Sequence, residues 1–354
     1  MVTIRDIAKR SNVAPGTVSM VLNGRGRLSA ETRSRVEAVI AEMGYRPKSA
    51  GRPRRASTHA PTSIAVVYAQ RVACGGVLSQ LSQAWIAGIR EVAIASQCHL
   101  SLIGGFKDAS QDEMFRHSLD SGNIDGVILI GITAEDGQAY LTQSLDRNIP
   151  AVVMNRTPVH AEFSYVAMDN FGSGKQVADF LVRLGHRKIA MIHLDSSDRY
   201  ANDRQAGAEA GLAAHDLAVL CTERLSANPT SAELYAACAS VAKSGATAVY
   251  ITAGDGPAAQ CIDTFQSMGL QIPVDLTIIG WDDIGPRSQS GLLPSSVGYD
   301  KAAMGREAAQ MLLDLMKREN EVRSRGLVLP TRVVEHDTSA VVKPVKMQQE
   351  SCNG

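Results

Sequence analysis

Thr3-Ile4-Arg5-Asp6-Ile7-Ala8-Lys9-Arg10-Ser11-Asn12-Val13-Ala14-Pro15-Gly16-Thr17-Val18-Ser19-Met20-Val21-Leu22-Asn23-Gly24 is the most informative stretch of this 354-residue chain. Ser29-Ala30-Glu31-Thr32-Arg33-Ser34-Arg35-Val36 and Gly44-Tyr45-Arg46-Pro47 follow it closely. The pattern predicts three short helices separated by tight turns. Thr3 can cap the first, with Asp6 three residues on and Ile4, Ile7 and Ala8 on one apolar face. Residues 11–13 make the turn. Pro15 suits the first position of a second helix, whose Val18, Val21 and Leu22 face inward. Ser29 caps a third helix with Glu31 in its first turn, Val36, Val39, Ile40 and Met43 inward, and Gly44 closing it. Three helices of this size are a known way to bring one helix into a DNA major groove.

Charge separates that reading from a small helical cap with no DNA role. Residues 1–58 hold twelve Lys or Arg against four Asp or Glu, a net of +8, while the whole chain has 36 of each kind. The remainder therefore carries −8, 24 basic against 32 acidic residues. A basic head on an acidic body is the footprint of a protein that meets phosphate at one end.

On these residues the segment resembles the DNA-binding headpiece of the lactose-repressor family of bacterial transcription regulators. That family's pattern of Asp-(Val/Ile)-Ala, Thr-Val-Ser and Gly-Tyr-x-Pro is followed at Asp6-Ile7-Ala8, Thr17-Val18-Ser19 and Gly44-Tyr45-Arg46-Pro47. The resemblance continues through Ile124-Asp125-Gly126-Val127-Ile128, Asn148-Ile149-Pro150-Ala151-Val152-Val153 and Leu184-Gly185-His186-Arg187-Lys188-Ile189-Ala190. Its later landmarks are Gly269-Leu270-Gln271-Ile272-Pro273-Val274-Asp275, Gly280-Trp281-Asp282-Asp283 and Met304-Gly305. It implies a ligand-responsive, sequence-specific regulator, a repressor of a carbohydrate or related small-metabolite pathway. Such a protein binds double-stranded operator DNA as a homodimer, and a sugar or sugar-like effector in a cleft between two lobes alters operator affinity. The family's body is that of periplasmic sugar-binding proteins, with three crossings between lobes that would fall near 162, 290 and 324.

The residue pattern supports such a body independently. Between 48 and 61, Gly, two prolines and several cationic residues read as a linker joining the headpiece, 1–47, to a body at 62–340. Short apolar runs at 63–68, 99–103, 126–130 and 151–154 read as buried strands, with helical patterns at 81–95 and 111–119 between them. A second series has strands at 188–193, 248–252 and 277–280 and helices at 173–184, 204–214, 232–243 and 257–268. Strands alternating with helices give parallel sheets covered on both faces, here two Rossmann-like α/β lobes. Residues 341–354 are expected to be a disordered tail, without the heptads of a tetramerising coil. With 45% hydrophobic residues, no apolar run long enough to span a bilayer and no signal-like N-terminus, the expected location is the cytoplasm, away from membranes. The six cysteines lack metal-ligand spacing and read as reduced thiols.

By the resemblance, base edges are read from Pro15, Gly16 and Met20. Pro and Gly offer no side-chain donor, and Met20 offers an apolar contact matched to a thymine methyl, unless it is simply a core or surface methionine. Thr3, Thr17, Ser19 and Asn23 suit phosphate contacts. In the linker, Gly51-Arg52-Pro53-Arg54-Arg55 departs from the family's hinge helix and lacks its wedging Leu. Either Arg52 and Arg54 lie in a narrow A·T-rich minor groove, as in AT-hook peptides, or the segment is a basic tether.

Effector contacts implied by the resemblance are Arg204, Asp282 and Asn155, with Asp255 and Tyr299 as further candidates. A fork-shaped cation with carboxylate and amide partners suits the paired hydrogen bonds of a polyhydroxylated ligand. Gly254 stands where relatives carry Asn, which removes a polar contact. Gly172-Ser173-Gly174-Lys175 lacks the upstream glycine of a phosphate loop and reads as a helix start capped at Asp169-Asn170. No metal, cofactor or catalytic constellation is expected, so the chain reads as a regulator and not an enzyme. A ligand-binding module alone is the other reading, and the basic headpiece and the missing signal sequence decide against it.

Overall fold

The computed structural model describes residues 4–14, 17–18, 21, 29–43, 62–68, 73–74, 77–78, 80–104, 109–131, 134–156, 163–194, 199–226, 229–317 and 324–342. The N-terminal residues and the body are separate compact units. In the first, α1 (Ile4–Ser11) and α2 (Ala30–Glu42) enclose Ile7, Ala8, Val18, Val21, Val36 and Val39. Residues 17, 18 and 21 are helical between them. Asn12 takes a left-handed φ of 51° in the first turn, and Ser29 accepts the Thr32 N–H as an N-cap. Arg10 and Glu42 pair across the two helices.

The body's first sheet runs in the order β13 (Gly326–Leu329), β7 (Ser164–Met168), β6 (Ala151–Met154), β5 (Gly126–Ile130), β1 (Ser63–Tyr68) and β4 (His99–Gly104), all parallel. Period-two alternation divides its apolar residues between two layers. Ile64, Val66, Ile128 and Ile130 pack with α3 (Gln80–Ala95) and α10 (Lys301–Lys317). Ala65, Val67, Val127 and Leu129 pack with α4 (Ala109–Asp120) and α5 (Ala134–Leu145). A small hairpin, β2 (Ala73–Cys74) with β3 (Val77–Leu78), precedes α3.

The second sheet is β11 (Thr277–Ile279), β10 (Ala248–Ile251), β8 (Ile189–Leu194) and β9 (Cys221–Leu225), again parallel. One face carries α6 (Asn170–Arg183) and α7 (Arg199–Ala213), the other α8 (Ser231–Lys243) and α9 (Asp255–Ser267). Asp169 caps α6 through Gly172 N–H at 2.7 Å. The glycine-rich run there serves packing: a Cβ on Gly174 would meet the Arg204 carbonyl at 2.2 Å, and one on Gly207 would meet that of Phe171 at 1.9 Å. The α3–α10 contact uses Gly88 and Gly305 in the same way.

Chain crossings between the lobes fall after β7, at β12 (Ser296–Gly298), and between β13 and β14 (Arg332–Val334), with β12 and β14 paired antiparallel. They lie several residues beyond the expected 162, 290 and 324 because β7 and β13 extend the first sheet and β12 precedes the return to it. The ordered body also runs further than 340. Val342 N–H donates to the Leu184 carbonyl and its side chain stands against Gly185, so residues 341 and 342 pack on the body. Among the described residues, no helix is long and apolar enough to cross a membrane, and no cluster of ligating side chains suits a metal.

Candidate effector site and headpiece

In both sheets the strand order reverses beside the first strand, at β1/β5 and β8/β10, and crevices at the carboxyl ends of such strands are the usual ligand position. Arg204 sits there on α7. It is 4% exposed, with Nε donating to Asn170 Oδ1 at 3.0 Å and Nη1 to the Thr252 carbonyl at 2.8 Å. Its guanidinium carbon lies 3.6 Å from the Trp281 ring centre and 4.8 Å from that of Tyr200. Desolvated contacts of this kind contribute about 2 kcal/mol. Burial lowers the Arg204 pKa, and Asp282, followed by Tyr250, Tyr200 and Tyr299, opposes the shift.

Asp282 is half-buried on the turn after β11. Burial raises its pKa, while Arg204 and Lys301 pull it down. Asp282 and Arg204 attract one another without an ion pair among the described residues. Its φ of 98° lies outside the left-handed helical well, and Asp283 follows at 50°. Backbone strain of this kind costs on the order of 1–3 kcal/mol and clusters at functional sites. Asn155, ending β6, also has positive φ, at 64°, and donates its backbone N–H to the Val166 carbonyl at 2.8 Å. Gly254 adopts φ 114°, and a Cβ there would lie 3.4 Å from Asp282 Oδ2. The residue that replaces the family's Asn thus stands against the aspartate carboxylate.

Of the aromatic lining, sequence reasoning named only Tyr299. Trp85 Nε1 stands beside the Tyr299 hydroxyl, Trp281 Nε1 beside the Asp282 carboxylate, and the Tyr250 hydroxyl beside Ser173. Yet Trp85 Nε1, Trp281 Nε1, Tyr250 Oη and Tyr299 Oη are all buried without meeting hydrogen-bond geometry among the described residues. Each costs about 1–3 kcal/mol when unsatisfied, and those of Trp281, Tyr250 and Tyr299 lie near Arg204, an arrangement that suits a polar ligand. The signal for Trp281 was its place in Gly280-Trp281-Asp282-Asp283. Tyr200 and Tyr250 had none, because α7 begins five residues before the expected 204 and a buried strand tyrosine reads as core.

Asp255, a further effector candidate, makes its contacts within the protein. At the start of α9 its Oδ1 accepts from Ser296 Oγ at 2.6 Å and its Oδ2 from Ile284 N–H at 3.0 Å, so both oxygens hold backbone segments together. Burial, with Asp282 and Asp283 nearby, pushes its pKa up to about 7 against the pull of those hydrogen bonds.

In the headpiece, Val18 and Val21 are buried three residues apart and Thr17 is half-exposed, the register expected for a helix with an outward face. Thr3, Pro15, Gly16, Ser19, Met20, Asn23, Arg52 and Arg54 lie outside the described residues.

Residues 3–48 match the bacterial regulatory proteins of the lacI family, and residues 178–339 match the periplasmic binding protein-like domain. The chain belongs to the lacI family. Catabolite control protein A of Staphylococcus xylosus is 25% identical over 345 residues, covering 96% of this chain and 99% of that one. The HTH-type transcriptional repressor PurR of Erwinia tasmaniensis is 29% identical over 349 residues, covering 94% and 96%. Among solved folds, the regulator CelR in complex with cellobiose is 24% identical with a TM-score of 0.68, covering 96% of this chain and 100% of that one. The lac repressor dimer bound to operator and the anti-inducer ONPF is 20% identical with a TM-score of 0.64, covering 96% and 99%. This lacI-family member therefore has the headpiece and two-lobed α/β body that its sequence pattern implied.

Proposed function

We propose that this protein is a transcriptional repressor that binds double-stranded operator DNA as a homodimer and changes its operator affinity when a small polyhydroxylated metabolite occupies the body. One observation carries the effector assignment. The buried, aromatic-stacked guanidinium of Arg204 faces the carboxylate of Asp282 with no ion pair between them, amid four buried polar atoms without good partners. A sugar ring supplies what this arrangement lacks, namely hydroxyls that accept from Arg204 and donate to Asp282, and apolar C–H faces for the aromatic rings. Asn155 and Tyr299 complete the contact set.

On DNA, Thr3, Thr17, Ser19 and Asn23 take phosphates, and Pro15, Gly16 and Met20 approach base edges with little hydrogen-bonding capacity. Arg52 and Arg54 either enter an A·T-rich minor groove or tether the headpiece. Paired half-sites follow because a single headpiece buries too little surface for tight binding. The chain acts as a regulator, as its relatives do, and not as an enzyme.

The test is calorimetry with ribose, glucose, cellobiose and related sugars on wild type and Arg204→Ala. Losing one charged donor set weakens binding by about 1.5–3 kcal/mol, roughly 10- to 150-fold. Equal affinity in the two proteins for a sugar that binds would remove Arg204 from the site.

A further inference from the structure

The turn at 281–284 carries Asp282 on two consecutive residues of positive φ, so something must hold it in place. Three elements do so. Asp282 N–H donates to the Val297 carbonyl at 3.0 Å, and Asp283 N–H donates to Ser296 Oγ at 3.0 Å, both on β12. Ser296 Oγ in turn donates to Asp255 Oδ1, and Asp255 Oδ2 accepts from Ile284 N–H, which fixes the turn to the start of α9. Finally, His336 Nε2 lies 2.8 Å from Asp283 Oδ1, and His336 follows β14, the partner of β12. The Asp255 carboxylate fits so closely under Gly280 that a Cβ there would stand 2.4 Å from Oδ1. Both strands belong to the segments that cross between the lobes.

We propose that Asp255, Ser296, Asp283 and His336 form a latch that ties the Asp282 carboxylate to the crossing strands, with Asp255 as a positioning residue that never touches the effector. A ligand that pulls on Asp282 then pulls on β12 and β14, so occupancy of the site and the setting of the lobes become one event. The proposal rests on the effector assignment above only in naming what Asp282 binds. The charged groups around Asp255 are Asp282, facing Arg204 and Lys301, and Asp283, paired with His336. Burial pushes Asp255 up to about 7, so the packed carboxyl under the turn gains its charge as pH rises through that range. Asp255→Asn keeps both contacts in neutral form, since the amide oxygen accepts from Ile284 N–H and the amide nitrogen donates to Ser296 Oγ.

The chain has two tryptophans, Trp281 in the turn and Trp85 on α3, so fluorine NMR of the full-length protein labelled with 5-fluorotryptophan reads the latch without any effector. The Trp281 resonance is expected to move between pH 5 and 9 with a midpoint within about one unit of 7. The movement should be absent in Asp255→Asn, and Ser296→Ala should displace or broaden the resonance at every pH while the protein stays folded. Two results would overturn the latch. One is an Asp255→Asn protein that titrates like wild type. The other is a wild-type Trp281 resonance in Ser296→Ala and Asp255→Ala with nothing but a lower melting temperature, as a plain helix cap gives. Failure of the effector assignment would show separately, as unchanged sugar affinity in Arg204→Ala.

Discussion

The headpiece holds its helices around Ile7, Ala8, Val18, Val21, Val36 and Val39, whereas the body buries the Arg204 guanidinium and stacks it against aromatic rings. In the first region, under the proposed DNA-binding role, fold and function would occupy different faces of the same helices, so either could be changed without the other. In the second, the groups that would meet the ligand are themselves packed, so a change to function is also a change to structure. The difference teaches where mutations separate the two properties. They should separate cleanly in the headpiece and poorly in the body.

The largest effect is expected from breaking the headpiece core. Ile7→Ala removes a fully buried side chain from a cluster of six among the described residues, at a cost of about 2–5 kcal/mol. A core this small has little stability to spare. Calorimetric scanning should show an unaltered body transition while operator binding is lost. A lowered body transition would break the contrast.

Gly207→Ala tests the body. Its Cβ would overlap the Phe171 carbonyl, and overpacking at such a crossing costs about 1–3 kcal/mol. Because α6 and α7 supply Asn170 and Arg204, the variant should lose sugar affinity along with thermal stability. Stability lost without affinity would show that the two are less entangled than the packing indicates.

A smaller effect belongs to His186, buried between Thr247 Oγ1 and the Ala340 carbonyl at 3.0 Å each. Burial lowers its pKa against the pull of the Ala340 contact. The unfolded chain therefore takes up the proton first. The stability contribution is full above the ordinary histidine range and falls as pH drops below about 6.5. His186→Gln should flatten that acid-side loss in the body transition, and an unchanged pH profile would assign the loss elsewhere. The smallest effect is at the linker. Replacing an operator's central A·T pairs with G·C should weaken wild type more than Arg52→Ala if Arg52 reads the minor groove, and both equally if 48–61 is a tether.

Much of this fold was legible because its strands are buried on both faces. Gly126–Ile130 and Ala151–Met154 stand where unbroken apolar runs placed them. Cys221–Leu225 escaped because it is an edge strand with Thr222, Glu223 and Arg224 in its middle, and Ser164–Met168 because polar and small residues interrupt it. In the proposed site, Arg204 and Asp282 were candidates through their motif positions. The contacts of Asp255 were not legible because spacing along a chain does not say which way a carboxylate turns, and Ser296, 41 residues away, decides it. Trp281 was missed because an aromatic residue next to an apolar run reads as core, which is also where it lies, and Tyr200 because it precedes the expected start of its helix.

The central claim is that Arg204 in the body governs DNA binding by a headpiece it does not belong to. Gel shifts with DNA from upstream of the protein's own gene, with and without the sugar that calorimetry identifies, test it most directly. Wild type should change its DNA affinity on adding the sugar by about tenfold or more, within the usual 1–3 kcal/mol of allosteric coupling. Arg204→Ala should bind the same DNA about as tightly without sugar and fail to respond at concentrations that saturate wild type. An Arg204→Ala protein that responds to the sugar as wild type does would contradict the account.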